Sequence, residues 1–246
     1  MGKPLVMEIS FNSDASRHGT LFMDGERVRS LTSFVPADIS LIRSHQPERE
    51  RVEKFIAASY ARYYGARITC HYPMLMSVSG HDGNIAAAVG VRMAARGALF
   101  LEQYLPNPVE AMLTNAFDKD VKRSEIVEIG NLASAGSGAS VFLFVALAAY
   151  LQQHRLSYAV ATATQGLRRS FALLEIDWIE LGTATSDALP DKGAAWGSYY
   201  GRNPKIVAGR VPPAFANLDS FMPSSINKDL GKILSYHPRE MTEIIQ

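Results

Sequence analysis

Glu128 stands between Val127 and Ile129 in the run Ile126 to Ser134 (IVEIGNLAS), a carboxylate in the middle of an apolar strand pattern. Strand alternation turns it to the face opposite those two neighbours. Burial there is costly without a partner and raises a carboxyl pKa towards that of a general base. Two uses fit: a proton acceptor, or a structural ion pair with Arg92 or another cation. Arg92, in GVRMA, and Glu102, in LFLEQYL, are similar lone charges in apolar strand patterns, each able to hold an amine, a carboxylate or a phosphate.

Directly after the Glu128 strand comes Ser134 to Ser140 (SAGSGAS), with small residues where a backbone must pass close to an anion. The apolar helix that follows offers unpaired N–H groups and a positive dipole end, so a pyrophosphate fits there. This is not a P-loop, because no Gly-Lys-Ser/Thr follows. Nor is it a full dinucleotide fingerprint, because Val141 stands where the third glycine belongs. The alternative is an ordinary strand-to-helix turn relaxed by Gly136 and Gly138. Arg168 and Arg169 open the next helix, where they either meet coenzyme phosphates or remain solvated.

Asn131 sits where its strand should end and either holds a bulge or turn or binds a ligand. Trp196, Tyr199 and Tyr200 either wall an acyl or aromatic pocket or pack as core. The single cysteine, Cys70, lies in an apolar strand pattern and reads as a small core residue, and His81 at a loop tip reads as solvated.

The elements that must position these residues follow from periodicity. Val52, Phe55, Ile56, Tyr60 and Tyr63 recur at three and four, predicting a helix from Pro47 ended by Gly65. Ile68 to Val78 and Ile85 to Met93 read as a hairpin around Ser79 to Asn84. Leu99 to Leu105 reads as a short strand or extended segment and Pro108 to Ala116 as a short helix. Strand Ile126 to Ser134, the apolar helix and strand Tyr158 to Thr164 follow. After them come helix Gln165 to Leu174, strand Trp178 to Leu181, and a loop from Trp196 into a last strand. Met1 to Gln46 reads as a peripheral arm or hairpin, 47–211 as the main domain and 212–246 as a C-terminal extension. The order is that of an α/β (α+β) fold with a mixed sheet.

With 246 residues, 47% of them hydrophobic, the chain can bury a real core. A formal net charge of +1 gives no footprint for nucleic acid. One cysteine rules out an intrachain disulfide and a cysteine-rich zinc site. The start MGKPLVMEISFNSD has no apolar signal core, and Ala139 to Leu151 is shorter than the roughly 20 residues a membrane helix needs. The expectation is a cytoplasmic enzyme without integral membrane association.

YYGARI (63–68), LFLEQYL (99–105), IVEIGNLAS (126–134) and WGSYYGRNPKIVAG (196–209) together resemble the thermostable haemolysin family, a bacterial group, over roughly residues 47 to 211. The order VEIGNLA, apolar helix, YAVATAT, LRRSF, IELG is also similar to acyl-homoserine lactone synthases, enzymes of the GNAT-like acyltransferase class. These resemblances imply a GNAT-like mixed sheet, flanked by helices and splayed between the two central strands, with a pantetheine arm lying in the gap. Glu128 falls on the glutamate those synthases use as a candidate base. Asn131 stands where they carry arginine, a departure that leaves the lactone-forming substrate unassigned. Of the acyl-coenzyme A signature Q/R-x-x-G-x-G/A, Gly136 and Gly138 match and Ala133 replaces Gln/Arg.

The implied chemistry is transfer of an acyl group to a small-molecule amine. Glu128, directly or through a water, takes the proton; the N–H groups of Asn131, Leu132, Ala133 and Ser134 stabilise the oxyanion. Ser137, Gly138, Ala139 and Ser140, with Arg168, hold the phosphates of acyl-coenzyme A or of a carrier protein's phosphopantetheine. Arg92, Glu102, Trp196 and Tyr200 contact the acceptor, and no metal is required. Helix 165–174 lacks the tyrosine that many GNAT enzymes use to protonate the thiolate, leaving Tyr199 or solvent. A membrane-active cytolysin, as the family name implies, and a non-catalytic binding module are the alternatives from other classes.

Overall fold

The computed structural model describes residues 6–13 and 16–222. The strands are β1 (Val6–Ser13), β2 (Ser16–Asp24), β3 (Pro36–Arg43), β4 (Met74–Gly80), β5 (Ile85–Met93), β6 (Ile126–Ser134), β7 (Tyr158–Ala163), β8 (Ile179–Thr183) and β9 (Lys205–Arg210). The helices are α1 (Gly25–Arg29), α2 (Arg49–Tyr64), α3 (Val109–Phe117), α4 (Ser140–Gln153), α5 (Gln165–Leu173) and α6 (Val211–Asp219). The nine strands among the described residues form one mixed sheet, in the order β2-β1-β3-β4-β5-β6-β7-β9-β8.

Alternate strand residues feed opposite faces. Met76, Val78, Ala87 and Val89 pack with α4, while Leu75 and Ala88 pack with Val52 and Ile56 of α2. The helix α4 is apolar all round, and every residue from Val141 to Leu151 is buried between the sheet and α6. Within Met1 to Gln46, read above as a peripheral arm or hairpin, β1, β2 and β3 extend the sheet, with β1 antiparallel to β2 and parallel to β3. Ile9, Phe11, Leu21 and Met23 belong to the main core. The C-terminal extension begins as α6, and residues 223–246 lie outside the described ones.

Three sequence expectations are corrected. The strand read from Ile68 begins only at Met74. Pro73 lacks an N–H, the Tyr72 and Pro73 carbonyls accept from Arg49 (2.7 and 3.1 Å), and Cys70 is exposed rather than core. Leu99 to Leu105 is not a strand, for Phe100–Tyr104 forms a 3-10 helix. Local capping decides it. Glu102 folds back to accept from the N–H of Leu99 (2.7 Å) and of Val109 (3.1 Å), and Arg123 grips it with two nitrogens (2.6 and 2.7 Å). Arg123 also reaches Glu110 (2.7 Å) and the carbonyls of Ala94 (2.9 Å) and Gly97 (2.8 Å), tying residues 94–125 together.

The Arg123 hydrogen bonds hold the Glu102 carboxyl down at about 2, from the usual 4.5. A depressed carboxyl stabilises the fold above its unfolded pKa and loses that contribution as pH falls through the folded one. Glu102→Gln is therefore expected to lower stability at pH 7 by about 1–3 kcal/mol. In urea unfolding, the gap to wild type should narrow steadily from pH ~5 down to ~2.

Candidate active site at the splay of the sheet

β6 and β7 run parallel and pair from Ile126↔Tyr158 to Ile129↔Ala161, where the ladder stops although both strands continue. The peptide edge of residues 130–134 that faces β7 is thereby freed. On its other side β6 carries a bulge. Ala88 pairs with Ala133 and Gly90 with Gly130, leaving two β6 residues opposite one of β5. Asn131 supplies the turn of the bulge with φ +48°, in the left-handed region where Asn is tolerated best among residues with a side chain. Its Oδ1 accepts from the Tyr72 N–H at 3.1 Å. Asn131 also lines the cleft of about 630 Å³ that opens at the splay.

Glu128, 1% exposed, lies beneath that cleft and does not line it. Its Oε2 accepts from the Phe100 N–H (2.8 Å), its Oε1 from the Leu101 N–H (2.9 Å), and the Tyr72 hydroxyl donates a third hydrogen bond. Tyr72 lies flat across two glycines: a Cβ on Gly130 would come 2.3 Å from its hydroxyl, and one on Gly90 would come 2.7 Å from its Cβ. Over the Tyr72 ring sits the Arg92 guanidinium, 4.9 Å from the centroid. Arg92 and Glu128 are register partners on β5 and β6, and Tyr72 stands between them in place of a direct ion pair. Burial pushes the Glu128 carboxyl up, and the three hydrogen bonds with the Arg92 charge partly offset it. Burial, then the Glu128 charge, pushes the Tyr72 phenol well above its ordinary value. Tyr72 and Arg92 both line the cleft.

Of the glycine-rich segment, Leu132, Ala133, Ser134, Gly136 and Ser140 line the cleft. Ser137, Gly138 and Ala139 do not: the Ser137 carbonyl accepts from Thr32 Oγ1 (2.7 Å), Gly138 lies under the Thr32 side chain, and Ala139 is core. Gly136 (φ +86°) and Gly138 (φ +77°) are both left-handed, so their glycines are required. Among the described residues neither α4 nor α5 has a side-chain cap at its N-terminus. Ser140, Thr164 and Gly166 bring both helix starts to the cleft, with free N–H groups and positive dipole ends. Arg168 lies elsewhere, its guanidinium 6.0 Å from the Trp178 ring centroid.

Opposite the loop, Tyr60, Tyr64, Phe100, Trp196 and Tyr199 form an aromatic wall with ring centroids 5.2–6.3 Å apart. The Tyr199 hydroxyl donates to the Thr162 carbonyl at 3.3 Å, on the β7 side of the splay, and burial raises its pKa strongly. Tyr200 stands behind the wall with its hydroxyl 2.6 Å from that of Tyr104. Glu102 is committed to Arg123 and lies outside the cleft. Sequence reasoning missed Tyr72, Tyr60, Tyr64 and Arg67, all of which line it. The signal was present in Gly90 and Gly130, two strand-interior glycines of the kind that mark a close approach.

A splayed mixed sheet, a bulged central strand and a glycine turn into an apolar helix make the fold GNAT-like. LasI, an acyl-homoserine lactone synthase, shares it at 13% identity over 75% of this chain and 95% of its own, with a TM-score of 0.52. TofI in an apo form is similar at 11% identity over 76% and 98%, with a TM-score of 0.50. At such identities the likeness is one of fold. No curated protein matches the sequence. The chain belongs to the thermostable hemolysin family, whose profile matches residues 42–215.

Gly130→Ala places a methyl against the Tyr72 hydroxyl, and should cost about 1–3 kcal/mol in urea unfolding. Gly201→Ala, where a Cβ meets nothing within 4 Å, is the control and should stay within about 0.5 kcal/mol of wild type.

Proposed function

We propose that the protein is an N-acyltransferase that moves an acyl group from a thioester to a small-molecule amine in this cleft. The observation that carries the reading is the buried carboxyl–phenol pair, Glu128 and Tyr72, set at the point where β6 and β7 part.

The donor is acyl-coenzyme A or an acylated carrier-protein phosphopantetheine, its arm lying between β6 and β7. Its phosphates meet the start of α4 at Ser140, with Gly136 beside it, where the helix dipole favours an anion. An apolar cavity of about 90 Å³ adjoins the cleft through Ile129, Leu132, Phe144 and Leu167, which line both, and it takes the end of the acyl chain. The amine nitrogen attacks the thioester carbonyl carbon, forming the C–N bond. The carbonyl oxygen takes the charge beside the freed N–H groups of residues 130–134. A proton leaves the amine for the Tyr72 oxygen as the Tyr72 proton passes to Glu128. The C–S bond then breaks, and the thiolate takes a proton from Tyr199 or solvent. The cytoplasm is the proposed compartment.

The test follows thiol release from octanoyl-coenzyme A, and from an octanoylated carrier protein, across a panel of primary amines. Glu128→Gln and Tyr72→Phe should each lower kcat by about 10²–10⁴-fold. Because Glu128 accepts the proton as a carboxylate whose pKa is raised, wild-type rates should fall with decreasing pH above the usual carboxyl range. Full activity in Glu128→Gln would overturn the mechanism.

A further inference from the structure

The charges on the cleft wall limit the acceptor. Among the described lining residues the only carboxylate is Asp191, whose two oxygens are taken by the N–H groups of Gly193 (3.0 Å) and Ala195 (3.1 Å). Arg67 and Arg92 both line the cleft. Arg67 is exposed, whereas Arg92 is half-buried beside Tyr72. Its guanidinium carbon lies over the Tyr72 ring, 4.9 Å from the centroid. Among the described residues the Arg92 guanidinium makes one long hydrogen bond, to the Ala98 carbonyl at 3.4 Å. Most of its five N–H donors are therefore free. A guanidinium with spare donors is a fork suited to a carboxylate. Around it the wall is aromatic, from Phe100 and Trp196 to Tyr60 and Tyr64.

From this juxtaposition we infer that the acceptor is an α-amino acid with an aromatic or large apolar side chain. Its carboxylate docks on Arg92, its side chain lies on the Tyr60–Phe100–Trp196 wall, and its amine is directed to the Tyr72 hydroxyl. The inference rests on the acyl-transfer reading above and names its acceptor class. One carbon separates an α-carboxylate from its amine, so a carboxylate on Arg92 keeps the amine near the phenol beneath that guanidinium. The unprotonated amine forms the new C–N bond as the C–S bond breaks. The products are an N-acyl amino acid and the free thiol, with the amine proton passing through Tyr72 to Glu128.

The experiment measures thiol release from octanoyl-coenzyme A and from octanoylated carrier protein. L-tyrosine, L-phenylalanine and L-leucine are compared with tyramine and phenethylamine, which lack the carboxylate. The amino acids should be preferred over their decarboxylated partners by about 10- to 100-fold in kcat/KM, the worth of a charge-assisted contact. Arg92→Gln should erase the distinction between tyrosine and tyramine, and Arg92→Lys should restore part of it. Equal use of tyramine by the wild-type protein would overturn the acceptor class while leaving acyl transfer standing. Absence of thiol release with every amine, from both donors, would overturn the acyl-transfer reading and the acceptor with it.

Discussion

Tyr72 reaches Glu128 because two strands give up their side chains beneath it. Gly90 and Gly130 are paired in register on β5 and β6, and together they leave a flat patch that a phenol ring can cover. The ring then closes Glu128 off from water and supplies a hydrogen bond that the buried carboxyl needs. From this contact the rest of the site is built outward. Asn131 turns the bulge and fixes the Tyr72 backbone, Arg92 stacks on the ring, and the Phe100–Tyr104 helix docks its first N–H groups on the carboxyl. Glu102 and Arg123 hold that short helix in place from behind. The carboxylate is neither free nor in a simple ion pair, but the meeting point of four separate chain segments.

The second constraint is the parting of β6 from β7. The bulge at Asn131 turns β6 away from its parallel neighbour, so strand edges that would otherwise be paired stand open beside two uncapped helix starts. The proposed donor, with an anionic head and an apolar tail, calls for features in this order: helix starts, open strand edge, then an apolar cavity against α4 and α6. The thermostable hemolysin family to which the chain belongs is named for lysis. No helix among the described residues is long and apolar enough to cross a membrane. The apolar surface of α4 serves instead as the centre of the core.

Much of this architecture was legible in the sequence because it rests on local pattern. The three-and-four spacing gave α2 and its Gly65 end, where φ is +67°, and the unbroken apolar run gave α4. Glu128 was conspicuous as a charge inside an apolar strand, and burial confirms the reason. What stayed hidden was long-range. Tyr72 lies in a stretch whose alternation resembles a strand, and its role depends on glycines 18 and 58 residues further on. Glu102 had the same lone-charge signature as Glu128, but its partner Arg123 lies 21 residues away and claims it for structure. Arg168 follows the β7 strand as a phosphate ligand would, yet the pitch of α5 carries it over Trp178. Cys70 looked apolar by its neighbours and is exposed because Pro73 delays the strand.

The most direct test of the account is whether the cleft holds an acyl thioester at all. Melting temperature should be measured against a ladder of acyl-coenzyme A chain lengths and against the same acyl groups on a carrier protein, since a ligand bound only by the folded state must raise it. The account predicts a rise with at least one donor form that grows with chain length until the apolar cavity is full. A flat response to both ladders would contradict it.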